Sequence, residues 1–139
     1  SGIILQFPLY AGIMGIMAKT GLAAKVAGLA TATGSAGAYS ALKFFSAGLL
    51  ILVVPSGGGQ WAVQGPIAAQ AAQELGVPLS HAVMAVAYGD QWSNMLQPFW
   101  ALPLLGITAV RARDLVGYTA AVMAFSGVWF VFGLWVWAP

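Results

Sequence analysis

The chain alternates between apolar runs and short polar interruptions. Ile3 to Ala18 is apolar but carries Gln6, Pro8, Gly12 and Gly15. The two glycines fall about one turn apart and offer a smooth strip to a neighbouring helix, so a transmembrane helix is predicted over 3–18. From Lys19 to Ser40 the chain is rich in Ala, Gly and Thr, with Leu22, Val26 and Leu29 at helical spacing opposite Lys25. That stretch is short and only moderately apolar, which predicts a helix over 20–38 lying in the plane of a bilayer interface. Gly34, Ser35 and Gly37 then loosen the chain.

Ala41 to Val54 is apolar after Lys43, whose stem can carry its ammonium group to the head groups. At 1.5 Å per residue this run is roughly 21 Å long, short of the ~30 Å hydrocarbon core. It ends in the polar run Pro55-Ser56-Gly57-Gly58-Gly59-Gln60. The next apolar segment, Pro66 to Leu75, is shorter still and carries Gln70, Gln73 and Glu74. Two short arms joined by a helix-breaking tip predict a re-entrant helical hairpin over 41–75.

Pro78 and Ser80 are helix-opening residues and restart the chain. Apolar character holds from Ala82 to Tyr88, fails at Gly89-Asp90-Gln91-Trp92-Ser93-Asn94, and resumes from Met95 to Val110. Together these halves predict one discontinuous, broken transmembrane helix over 79–109 with an unwound centre. Arg111, Arg113 and Asp114 form an aqueous loop. A last transmembrane helix is predicted over 115–137, where Trp129, Trp135 and Trp137 suit an interfacial belt.

Composition turns this pattern into a class. The 139 residues are 60% hydrophobic and 6% charged, against roughly a quarter charged in soluble domains. The chain is therefore expected to be an all-α membrane protein, a single transmembrane domain over 1–139 whose partner is the lipid bilayer. A net charge of +2 is too weak to suggest a nucleic-acid partner. With no cysteine and one histidine there is no disulfide and no typical zinc site, and neither a metal nor a cofactor is expected. The chain opens Ser1-Gly2 with no basic segment before Ile3, so no signal peptide is read, and it is taken as part of a longer, transporter-sized protein.

The two interruptions carry the candidate chemistry. Unpaired backbone in hydrocarbon costs several kcal/mol per group, so broken helices at membrane depth need protein or a water-filled cavity around them. Half-helix N-termini favour anions and C-terminal carbonyls can hold cations. Gly57, Gly58 and Gly59 allow close backbone approach to a ligand, while Ser56 and Gln60 add neutral donors and acceptors. Asp90 is the one acid in an apolar context and is flanked by Gln91, Ser93 and Asn94. It stands either as an ion or proton site or as a structural clamp or cap. Trp92 reads as a packing residue and His81 as an interfacial or capping one.

Enzymatic constellations are weak. The three glycines precede Gln60 and Trp61 rather than Lys-Ser or Lys-Thr, so they do not form a phosphate-binding loop. Ser56 and His81 could make an intramembrane hydrolase, but no nucleophile motif surrounds Ser56. No catalytic residue is assigned, and the chain is not expected to be an enzyme.

The run Pro55 to Pro66, followed by Gly89-Asp90-Gln91-Trp92-Ser93-Asn94 and then Met95-Leu96-Gln97-Pro98, resembles the short-chain fatty acid transporters of the AtoE type, within the ion-transporter superfamily of secondary carriers. The resemblance covers essentially the whole chain and would correspond to the C-terminal third of such a carrier. It implies a multi-pass protein of the bacterial inner membrane that moves monocarboxylates such as butyrate or acetoacetate by alternating access. It also implies an inverted repeat, of which this chain supplies one half (one hairpin, one broken helix and a final helix), and a partner in the remaining N-terminal portion of the same transporter, which holds the other half. On that reading Ser56, Gly57, Gly58, Gly59 and Gln60 receive the carboxylate, and Gln91, Ser93 and Asn94 complete the polar lining. Asp90 is then the coupling-ion or proton site. Sodium-coupled relatives use Ser-Asn-Thr at the hairpin tip where this chain has Ser-Gly-Gly, so coupling to H+ or Na+ stays open. Lys19, Lys25 and Lys43 against Arg111 and Arg113 orient the chain poorly, and the resemblance favours a cytoplasmic arginine loop. A channel-like facilitator is the alternative, and a second copy of the chain is a candidate partner.

Overall fold

The computed structural model describes residues 2–22, 25, 28, 35–97 and 101–137, and every element in them is helical. They form α1 (Gly2–Lys19), α2 (Ala36–Ile51), α3 (Gly57–Glu74), α4 (Leu79–Asn94), α5 (Leu102–Thr108) and α6 (Ala112–Val136). Most of the predicted in-plane helix over 20–38 lies outside the described residues.

Local chemistry sets the boundaries. In a continuing helix the Ile51 carbonyl would accept from residue 55, but Pro55 has no N–H, so α2 stops at Ile51. Ser56 then caps α3, its hydroxyl accepting from the Gly59 N–H at 3.1 Å. This cap lets three glycines, poor helix formers by sequence, make the first turn of α3 rather than the open tip expected of them. The second arm therefore begins at Gly57 instead of Pro66, and Pro66 sits within the helix. At its far end Gly76 takes φ +68, with the Val77 N–H on the Ala72 carbonyl (2.8 Å) and the Gly76 N–H on that of Gln73 (3.3 Å). Such a left-handed closure satisfies the terminal carbonyls and turns the chain into α4.

Three hydrogen bonds fix how α2 and α3 lie. The Tyr39 hydroxyl donates to the Ala68 carbonyl (2.6 Å), Gln64 Nε2 to the Ser46 hydroxyl (3.0 Å), and Gln60 Nε2 to the Ala47 carbonyl (3.0 Å). As numbers rise on α2 they fall on α3, so the pair is an antiparallel helical hairpin. On α4 the order is reversed. Gly89 meets Phe44, the Ser93 hydroxyl donates to the Gly48 carbonyl (2.6 Å), and Gln97 Nε2 donates to that of Ile51 (3.3 Å). Helices α2 and α4 thus run parallel and make the most extensive pairing among the described elements. Helix α6 runs back against α4, with Trp137 beside His81, Phe130 stacked on Tyr88, and Ser126 near Met95.

The α2–α4 contact needs small residues. A Cβ at Gly89 would overlap the Phe44 carbonyl oxygen and lie 2.8 Å from the Ala47 Cβ. Ala82, Ala85, Gly89 and Ser93 are all buried along this side of α4, and the close approach they allow is how helices associate where lipid removes most of the hydrophobic gain. Tyr39, Ala47, Ala68, Ala72, Ala82 and Val86 fill one core between α2, α3 and α4. Phe44, Ala85 and Leu134 anchor another between α2, α4 and α6.

Two expectations change here. Lys43 does not reach the head groups: it shares a face of α2 with Tyr39, Ala47 and Leu50, and all four are fully buried. The segment Asp90–Asn94 is not unwound either but completes α4, because Ser93 folds its hydroxyl onto the Gly48 carbonyl and, at 3.3 Å, onto that of Gly89. The interruption falls just after it, at residues 95–97, while 98–100 lie outside the described residues.

These contacts place the end of α2, the start of α3 and the end of α4 at one level. Trp92 sits at that level and bonds the Met123 carbonyl of α6. Met123 lies 11 residues after Ala112 and 13 before Val136, near the middle of α6. At 25 residues α6 is about 37 Å long. It is long and apolar enough to cross a membrane, and its surface is mostly exposed.

Candidate functional site

The capped start of α3 faces α4 across a cavity of about 410 Å³ lined by Gly57, Gln60 and Trp61 on one side and by Val83, Val86, Ala87, Asp90 and Gln91 on the other. Residues 57, 60 and 61 share a face because they fall three and four apart on α3, and 83–87–91 and 86–90 do so on α4. Both polar interruptions of the sequence therefore contribute to one cavity. Of the sequence candidates, Gly57, Gln60, Asp90 and Gln91 come together here.

Asp90 lies beside the α3 N-terminus. A Cβ on Gly57 would lie 3.5 Å from Asp90 Oδ2 and 3.7 Å from Oδ1, so only the glycine backbone separates the carboxyl group from the first turn. A negative group at a helix N-terminus is stabilised by the unpaired N–H groups and the aligned peptide dipoles. The Gly59 N–H is taken by the Ser56 hydroxyl and the Gln60 N–H by the Ser56 carbonyl (2.7 Å). That leaves the N–H groups of Gly57 and Gly58, both on exposed residues, as the donors of this turn.

Acceptors crowd the same level. Gln60 is fully buried and commits its Nε2 to the Ala47 carbonyl and, at 3.2 Å, to Gln64 Oε1. Its Oε1 has no partner, nor have Asp90 Oδ1, Asn94 Oδ1 and Gln97 Oε1. Each unpaired buried acceptor carries a desolvation cost of about 1–3 kcal/mol. A proton, a cation or a ligand donor reaching Gln60 Oε1 and Asp90 Oδ1 would relieve it.

The remaining candidates hold the frame. Ser56 caps α3, Gly59 completes that cap, and Ser93 is spent on the Gly48 carbonyl. Asn94 follows Asp90 by one turn on α4. Sequence reasoning missed Gln64 and Gln97, whose amides buttress Ser46 and the Ile51 carbonyl. The signal was present, since Gln64 follows Gln60 and Gln97 follows Ser93 by four residues. It also missed the apolar wall of Trp61, Val83, Val86 and Ala87, which looks like ordinary membrane helix until α3 and α4 are packed. The Ser56–His81 pair is not assembled. His81 precedes Asp90 by nine positions, about 13 Å along α4, and packs near Trp137 at the other end.

A larger cavity of about 540 Å³ lies between α2 and α6, lined by Phe44, Phe45, Trp92, Phe132 and Trp135 among others. Its lining side chains carry no charge to orient an anion.

The profile of the family described as "Short chain fatty acid transporter" matches residues 1–137. A protein of Escherichia coli (strain K12) named "Putative short-chain fatty acid transporter" is 47% identical over 134 residues, covering 96% of this chain and 30% of the relative. One of the same name from Haemophilus influenzae (strain ATCC 51907 / DSM 11121 / KW20 / Rd) is 42% identical over 135 residues, covering 97% and 30%. The chain thus spans about 30% of the length of these relatives. No solved structure matches it.

Proposed function

The chain belongs to the short-chain fatty acid transporter family, whose members are transporters and not enzymes, and from that premise we propose that it forms part of a secondary carrier moving short-chain monocarboxylates, butyrate- or acetoacetate-like, across the bacterial inner membrane. The observation that carries this reading is the meeting of the α3 N-terminus with Asp90 at the edge of one cavity, level with the middle of α6. If α6 crosses the bilayer, the turn between α2 and α3 lies near mid-depth, and the pair is a re-entrant hairpin. The interruption after Asn94 makes the 79–109 segment a broken helix at the same depth. Helix breaks facing each other at the midplane are the usual seat of transport sites.

The chemistry follows from the groups at that level. The substrate carboxylate takes the Gly57 and Gly58 N–H groups, with Gln91 and Asn94 closing the polar end. Ser56 and Ser93 hold the helix ends that aim those donors, through the bonds they already make. A carboxylate cannot sit beside an ionised Asp90 and the free Gln60 Oε1 without a compensating positive charge. A proton on Asp90 or a sodium ion among the acceptor oxygens supplies it, so substrate and coupling ion enter together. Alternating access then consists of exposing this level first to one side and then to the other. The exposed flanks of Gly57, Trp61, Val83 and Ala87 await the remaining portion of the transporter.

The test is butyrate uptake by the full-length transporter in vesicles with imposed sodium or proton gradients. Saturable uptake driven by one gradient, and lost in Asp90→Asn, is the expected result. Non-saturating flux would favour a facilitator. A protein that moves no short monocarboxylate under either gradient sinks the reading.

A further inference from the structure

The cavity between α3 and α4 is amphiphilic along its length. Asp90, Gln91, Gly57 and Gln60 lie at the end level with the helix breaks, while Val83, Val86 and Ala87 lie one to two turns earlier on α4 with Trp61 opposite them. We infer that Trp61, Val83, Val86 and Ala87 form the acyl-chain pocket that sets which chain lengths the site accepts. This rests on the proposed function and adds to it the residues that choose among monocarboxylates.

The geometry supports a built wall rather than an incidental apolar surface. Trp61 lies flat on its own helix: a Cβ at Gly65 would come 2.8 Å from Trp61 Cε2 and 2.9 Å from Cδ2, so the glycine is what admits the ring. Held there, the indole lines the cavity together with Val83, Val86 and Ala87 of α4. Val86 is buried at the floor, whereas Val83 and Ala87 keep their side chains open to the cavity mouth. At the polar end, Gln60 is fully buried with Oε1 unpartnered, an acceptor that independently marks that end as the place for the proton or cation accompanying a carboxylate head group.

Length selection follows from distance. Seven residues separate Val83 from Asp90, about 10 Å along the helix. A butyryl or hexanoyl tail anchored at the α3 N-terminus stays within that stretch, and a long-chain tail overruns it. The apolar walls also disfavour tails that carry a hydroxyl or a second carboxylate, because such groups would lose water without finding partners. Each buried methylene contributes about a fourfold gain in apparent affinity.

The test measures inhibition of radiolabelled butyrate uptake by acetate, butyrate and hexanoate, using the full-length transporter in vesicles. Two variants are compared with the wild type. Ala87→Leu fills the pocket with a good helix former at an exposed position, and Val83→Ser makes the far end of the α4 wall polar and one methyl group smaller. The expected result is that the ratio of hexanoate to acetate affinity falls by more than about tenfold in Ala87→Leu, two methylenes at about fourfold each. In Val83→Ser it falls by a smaller factor, with acetate affinity nearly constant in both. A wild type that transports, with both variants leaving the ratio unchanged, overturns the chain-length pocket and leaves the proposed function standing. A wild type that moves no monocarboxylate overturns both.

Discussion

The indole N–H of Trp92 donates to the Met123 carbonyl over 2.7 Å, tying the end of α4 to the centre of α6. The ring fits because both neighbouring walls are glycine: a Cβ at Gly127 would lie 2.6 Å from Trp92 Nε1, and one at Gly48 would lie 3.1 Å from Cε3. Phe44 and Phe45 close round it, with ring centroids 5.0 and 5.8 Å away. This contact sets the depth of the cavity relative to the long apolar helix, so the site level depends on Trp92 although Trp92 does not line the cavity.

Trp92→Phe keeps most of the packing and removes the donor, and should lower stability by about 1 kcal/mol. Gly127→Leu should cost more, since the indole has to move off α6 and takes its hydrogen bond with it. Thermal unfolding of the purified transporter in detergent orders the two. A Gly127→Leu protein as stable as the wild type would show that α6 does not pack here.

Glycines in this chain divide by what surrounds them. Gly89→Ala places a methyl group on the Phe44 carbonyl and should prevent α2 and α4 from pairing, so little folded protein is recovered. Gly58→Ala meets nothing within 4 Å and should fold normally. Its uptake should fall only where the added methyl crowds the substrate. Recovery of monodisperse protein by size-exclusion chromatography separates these outcomes.

Frame and chemistry should also separate by mutation. Ser93→Ala and Gln97→Ala each leave an α2 carbonyl without its side-chain donor, at a cost of about 1–3 kcal/mol. They should reduce the melting temperature more than the affinity for butyrate. Asp90→Asn should do the opposite, abolishing gradient-driven uptake while the protein melts at or above the wild-type temperature, because the buried Asp90 Oδ1 has no hydrogen-bond partner to lose. Parallel melting and uptake measurements decide it, and Asp90→Asn with full coupled uptake would remove Asp90 from the mechanism.

Ser56→Ala deletes the cap on α3 and should cost about 1 kcal/mol. Because the cap orients the Gly57 and Gly58 N–H groups, butyrate affinity should fall as well. Ser56→Thr should restore both, as its hydroxyl can accept from the Gly59 N–H in the same way. Failure of threonine to rescue uptake while stability recovers would mean that the serine hydroxyl does more than cap.

Much of this was legible in the residues. The apolar excess and scarcity of charge specify a membrane class, and Pro55 with Ser56 specifies where one helix ends and the next begins. Those effects act within a few residues, so local chemistry suffices. By local pattern alone the tip glycines and the Asp90–Asn94 segment read as open backbone, for the converse reason. Gly57–Gly59 and Ser93 are poor helix formers by propensity, but a cap and a cross-helix bond to Gly48 outweigh that preference of about 1 kcal/mol or less per residue. Charge predicts exposure for Lys43, whereas the face it shares with Tyr39 and Ala47 is turned inward.

By itself, then, the sequence determined the class, the helix ends and the presence of two polar interruptions, since these depend on composition and short-range hydrogen bonding. Only the tertiary structure decided that α2 and α4 run parallel, that Gly57 meets Asp90, and that Val83 and Trp61 line one cavity. Such pairings depend on which small residues let two backbones approach, as Gly89 does at Phe44, and no local pattern encodes the partner of that approach.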